Sequence, residues 1–146
     1  MNPAGSYLLL IFLDTDIFIP VGKLGRFTFN TGYYVYAGSA LGGLRGRIGR
    51  HLKKGKKVHW HIDYLLQYSE VVEVWMTISQ ERLECFLAQT IINLPGASVP
   101  VPGFGSSDCR CRTHLIGLSA KLEMAALQNA IGPCITLERL LVSDAR

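Results

Sequence analysis

The chain has 146 residues, with 11 acidic side chains against 15 Lys and Arg, four cysteines and no internal repeat. No Asp or Glu stands between Gly38 and Asp63. That stretch therefore holds no carboxylate for a hard metal ion. The apolar run Tyr7 to Leu13 is seven residues long, has no basic residue before it and ends at Asp14. It is far short of the roughly 20 residues of a membrane span and lacks the basic front of a signal peptide. A cytoplasmic chain without a membrane segment is the expectation. Cys85, Cys109, Cys111 and Cys134 are then expected as reduced thiols. Charged residues make up only 18% against 49% apolar, a globular rather than a disordered composition.

What the chain does have is a concentration of positive charge. Arg45, Arg47, Arg50, Lys53, Lys54, Lys56 and Lys57 are seven of the 15 cations, packed into 13 positions. Three of the four histidines, His51, His59 and His61, lie in or just after this segment. Such a patch suits a polyanion, above all nucleic acid. The plainer reading is a solvated helix face, which ordinarily mixes both signs of charge.

Hydrophobic patterning sets out the elements. Ser6 to Leu13 reads as a buried strand, Ile17–Val21 and Arg26–Phe29 as a hairpin, and Tyr33–Gly38 as another strand. Tyr34 and Tyr36 share one face of it, with Tyr33 and Val35 on the other. Leu41, Leu44, Ile48 and Leu52 make a helix stripe. Trp60–Tyr68 is a second helix, Val71–Ile78 a strand, and Ser79–Asn93 a third helix opened by Ser79 and closed by Pro95-Gly96. The segment Cys111–Leu118 predicts a short strand and Ser119–Ile131 a last helix. The fold class is α/β of the α+β kind: one domain over residues 1–146, with a small, mainly antiparallel sheet flanked by helices. Its core spans about residues 5–118, followed by a C-terminal helical extension over 119–146.

Arg47 and His51 lie four residues apart, on the flank of the helix that borders the core. An arginine beside strand tyrosines suits a phosphodiester, because guanidinium grips phosphate and Tyr or His moves a proton. The carboxylate nearest in character is Glu84, set within the stripe Leu83, Leu87, Ile91, where it is costly unless paired or bound to a metal. Glu81 is the alternative, and a plain first-turn helix acid is its bland reading.

Gly5-Ser6-Tyr7 opening one strand, Tyr36-Ala37-Gly38 in a second, and "SALGGLRGRIGRHL" after it resemble the GIY-YIG nuclease superfamily. The motifs "GYYVYAGSA", "HWHIDYLL", "LEC" and "GFGSSDCRCRTHL" resemble its uncharacterised branch, domain of unknown function 123. The resemblance implies a divalent-metal-dependent endonuclease acting on DNA, in a repair setting. It implies Tyr7 as general base, Tyr36 as the second motif tyrosine, Arg47 on the transition state, and Glu84 as the ligand of Mg²⁺ or Mn²⁺. His51 and His59 fall where some members carry supporting histidines. Arg45, Arg50, Lys53, Lys54, Lys56, Lys57 and His59 are the expected nucleic-acid contacts. The first motif departs from the family in its middle serine and in its long separation from Tyr36, which leaves Tyr34 as an alternative to Tyr7.

Two clusters remain open. His59, His61 and Asp63 at a helix start suit caps and core hydrogen bonds, with metal or phosphate as the other reading. Trp60 suits burial, with base stacking as the other. Asp108, Cys109, Cys111 and His114 have an unusual Cys-x-Cys-x₂-His spacing with no second pair, so zinc is not expected there. Against the nuclease stands a catalytically silent nucleic-acid-binding module on the same fold. A small protein-interaction domain would leave the acid-free run unexplained. Glu84 discriminates, since a nuclease needs it in the cleft with the tyrosines and Arg47.

Overall fold

The structure is a computed structural model, and it describes residues 2–140. β1 (Gly5–Leu13) runs through the middle of a six-stranded antiparallel sheet. β4 (Gly32–Ala40) and β5 (Glu70–Ile78) flank it on either side. β7 (Leu115–Leu118) and the two-residue β6 (Ala97–Ser98) extend the β4 side, and β8 (Glu138–Leu140) closes the β5 side. β2 (Ile17–Pro20) and β3 (Arg26–Phe29) form a separate hairpin.

Period-two alternation along β1 makes two cores. Tyr7, Leu9, Ile11 and Leu13 face α1 (Leu44–Leu52), α2 (His61–Leu66) and the hairpin residues Ile19, Val21 and Phe29. Leu8 and Leu10 face the opposite way, with Val35 and Trp75, onto Leu87, Ala88 and Ile91 of α3 (Glu84–Ile92) and Leu127 of α4 (Met124–Ile131). A strand buried on both faces needs a continuous apolar run, which explains "YLLLIFL". Each fully buried Leu or Ile stabilises the fold by about 1.5–3 kcal/mol. That places β1 at the centre of the sheet rather than at an edge.

The helix starts differ from the sequence reading, each for a local reason. Leu41 is exposed and lies in a turn; α1 begins only at Leu44. Its first amides are taken by the chain's N-terminal segment: Leu44 N donates to Pro3 O (2.7 Å), and Arg45 N to Asn2 Oδ1 (2.8 Å). Gly43 sits at φ 134°, and Asn2 occupies the space a Cβ would need. Ser79 does not open α3: its hydroxyl accepts from Glu81 N in a local turn (3.0 Å). The helix starts five residues later, at Glu84, where Leu83 N donates to buried Ser6 Oγ (2.9 Å). The segment after Ser119 is not helical throughout. α4 covers Met124–Ile131, and Glu138–Leu140 pairs with β5. The remainder of the predicted extension, 141–146, lies outside the described residues.

Candidate active site

β7 begins at Leu115, opposite Tyr36. One further bond, Ala37 N to His114 O (3.0 Å), closes that side of β4. Beyond it the edge of β4 at Gly38–Ala40 has no strand partner among the described residues, so side chains from both faces of the sheet reach one opening. A cleft of about 320 Å³ lies there, and Tyr7, Tyr36, Ser39, Arg47, Trp60 and Glu84 are among its lining residues.

Ser39 joins the two charged groups. Arg47 Nη1 donates to its carbonyl (3.0 Å), and its hydroxyl donates to Glu84 Oε2. Its hydroxyl also pairs with Ser6 Oγ (2.6 Å). Leu83 N already donates to Ser6, and Ser39 spends its proton on Glu84. Ser6 must therefore donate to Ser39, and the chain runs one way: Leu83 N–H, Ser6, Ser39, Glu84. The serine in the middle of the first motif thus orients the carboxylate from behind. Glu84 is the first residue of α3 and half-buried rather than set within its apolar stripe. Carboxylates are favoured at a helix N-terminus.

Tyr7 is buried, and its hydroxyl lies 2.7 Å from His51 Nε2. Its ring covers Gly38, where a Cβ would run into the phenol. Burial raises the Tyr7 pKa, with Tyr36 adding to the effect and Arg47 opposing it. Burial also pushes Tyr36 up to about 12, again against Arg47. His51 is pushed down to about 3 by burial, with Asp63 pulling the other way, so its ring is neutral at pH 7. Its Nδ1 is buried and has no partner among the described residues. Tyr34, the alternative to Tyr7, points elsewhere: its hydroxyl donates to Asn30 O (2.6 Å), and it does not line the cleft.

The basic segment divides by position. Arg47 and Arg50 both lie over the Trp60 ring, at 4.5 and 4.3 Å. Arg50 makes a two-pronged bond to Asp63 (3.0 and 2.9 Å), whose carboxylate also accepts from the His59 and Trp60 amides at 2.8 Å each. Asp63 is fully buried. Burial works against its charge, but these hydrogen bonds win and hold its carboxyl below the usual range. Lys56 Nζ reaches His51 O and Lys53 O (3.0 Å each) at the end of α1, and Lys54 Nζ reaches Ser69 O (3.3 Å). Arg45, Lys53, Lys57 and His59 are exposed. His61 Nδ1 accepts from Gly105 N (2.8 Å), so this histidine ties α2 to the loop before β7.

The expectation against zinc rested on an unusual spacing with no second pair in the sequence; the structure brings a further cysteine to the cluster, while Asp108 is not part of it. Cys85, the second residue of α3, joins Cys109, Cys111 and His114, with all four donor atoms within 4.8 Å of one another. Burial and the neighbouring thiols push the Cys85 thiol up. Sequence spacing could not reveal this cluster, because Cys85 stands 24 positions before Cys109. Ser6 and Ser39 lay inside the quoted motifs without an assigned role, and Arg82, on the cleft wall, stood in none of them.

No helix among the described residues is long and apolar enough to cross a membrane. No curated protein and no solved structure matches the chain. Residues 6–135 match the family model described as Domain of unknown function DUF123, so the chain belongs to that family.

Proposed function

We propose that this DUF123 member is a divalent-metal-dependent endonuclease of GIY-YIG type, hydrolysing phosphodiester bonds in DNA in a repair setting. The observation that carries the reading is the meeting of Arg47 and Glu84 on Ser39, in a cleft that Tyr7 and Tyr36 also line. The carboxylate suits Mg²⁺ or Mn²⁺, which take one or two carboxylates and fill their remaining positions with water and phosphate oxygens. A divalent ion bound there would supply charge stabilisation to the phosphoryl group and its leaving oxygen.

The remaining roles belong to the chain's own side chains. Arg47 keeps donors beyond the one given to Ser39, and its planar guanidinium matches two phosphate oxygens. Its stacking on Trp60 restricts where those donors point. Tyr7 is no resting phenolate, because burial disfavours the charge. It acts instead as a neutral phenol: held in place by its hydrogen bond with neutral His51, its oxygen accepts a hydrogen bond from the attacking water and orients it toward the phosphorus. The exposed Arg45, Lys53 and Lys57 then hold flanking phosphates.

The test is cleavage of branched, nicked and damaged DNA with and without Mg²⁺ or Mn²⁺, comparing parent and Glu84→Gln. Gel-shift affinity and thermal melts are run on the same preparations. Cleavage should fall by about 10²–10³-fold in the variant, with affinity and melting held. A variant that cuts as fast as the parent overturns the Glu84 assignment. A parent that binds but cuts nothing in the panel leaves the catalytically silent module as the reading.

A further inference from the structure

The Cys₃His cluster takes no part in the reading above, and it does not depend on it. We propose that Cys85, Cys109, Cys111 and His114 hold a zinc ion in a closed structural site that fastens the start of α3 to the loop before β7.

The spacing of the donor atoms carries this. Tetrahedral zinc holds sulfur at about 2.3 Å and imidazole nitrogen at about 2.0–2.1 Å, so neighbouring S and N donors stand about 3.6 Å apart. His114 Nε2 lies 3.5 Å from Cys85 Sγ and 3.4 Å from Cys109 Sγ. All six donor pairs fall within 4.8 Å. Four protein ligands fill the tetrahedron and leave no open position, which marks a structural rather than a catalytic zinc. Three thiolates and an imidazole also select zinc over magnesium, whose ligands are oxygens.

The surroundings suit the charge. Binding sends three thiol protons to solvent and leaves a net charge of about −1 on the centre. Arg110 and Arg112 stand on either side of Cys111 in the chain, and Cys85 lies in the first turn of α3, where the helix dipole favours a thiolate. Gln89, one turn after Cys85, directs Nε2 at Cys111 Sγ (3.8 Å). His114 is buried, and the three sulfurs are partly shielded. All four cysteines are free thiols, and exposed Cys134 stands apart from the cluster.

The site also has a mechanical consequence. Cys85 follows Glu84, so holding Cys85 fixes the helix start that presents the carboxylate. Cys109 and His114 line the cleft that Glu84 also lines.

The experiment is metal analysis of the full chain, isolated in reducing buffer without chelator. About one zinc ion per chain is expected. Cys109→Ser and Cys111→Ser should lose it, and Cys134→Ser should keep it. Cobalt in place of zinc should give the absorption of a tetrahedral cobalt thiolate. If a cysteine variant does not fold, the parent decides: chelation should lower its melting temperature, and zinc, but not magnesium, should restore it. A metal-free chain that takes up no equimolar zinc overturns the proposal. So do stoichiometric iron, a disulfide within the cluster, or equal zinc loss from Cys134→Ser. A melting temperature unchanged by zinc removal overturns the structural role.

Discussion

Acidification should expose His51 as a buried neutral base. In the unfolded chain its pKa is the ordinary 6.5, whereas in the fold burial pushes it to about 3. Between those values the unfolded chain binds a proton that the folded chain refuses. His51 therefore leaves stability intact above pH 6.5 and removes it progressively as pH falls toward 3. At pH 5 the difference is about 2 kcal/mol, which for a chain of this size lowers the melting temperature by about 4–8 °C. Burial also depresses His61 and His114, so the parent's pH profile alone does not isolate His51. Asp63 and Glu73 are held below their ordinary values and act at lower pH. His51→Gln isolates the effect, because glutamine can accept the Tyr7 hydroxyl but does not titrate. Urea unfolding of parent and variant from pH 8 to pH 5 should give two curves that diverge below pH 6.5, the parent falling faster. Parallel curves would refute a neutral, buried His51.

Two further substitutions test separate parts of the argument. Gly38→Ala puts a methyl into the Tyr7 ring; we expect a loss of about 1–3 kcal/mol in urea unfolding, together with loss of cleavage as Tyr7 is displaced from His51. Lys53→Ala with Lys57→Ala should leave melting unchanged and flatten the dependence of DNA affinity on salt by about 0.9 for each phosphate released, read as log K against log [salt]. An unchanged salt slope would place the binding surface elsewhere.

Elements that rest on local patterning were legible in the sequence. The continuous apolar run of β1, the two-faced pattern of β4, and the stripe through Leu44, Ile48 and Leu52 gave a mixed fold with an antiparallel sheet. Features that rest on long-range contacts were not. Ser79 followed by a long apolar stretch looks like a helix start, yet the amide at the true start is held by Ser6, 77 positions away. The same limit hid the zinc-type cluster. Three of its ligands lie within one loop, and the fourth comes from α3. The middle serine of the first motif looked like a departure from the pattern. Its hydrogen bonds to Leu83 and Ser39 turn it into support for Glu84.

The run of seven cations that first suggested a polyanion is not one surface. Arg50 is committed to buried Asp63, which would otherwise be an unpaired charge in the core, and breaking such a pair costs about 3–5 kcal/mol. Lys56 satisfies carbonyls at the C-terminal end of α1, where those groups lack helical partners. Arg47 lies in the cleft. Arg45, Lys53 and Lys57 remain fully available to an outside phosphate, with Lys54 only loosely held at 3.3 Å from Ser69 O. An acid-free segment thus has a structural cause besides a functional one. Among the described residues Asp63 is the one carboxylate in an ion pair with α1, through Arg50, and a second acid within the segment would compete with it for that arginine. Two of the seven cations, Arg50 and Lys56, are therefore committed within the protein, and the salt slope of the parent should reflect the smaller set.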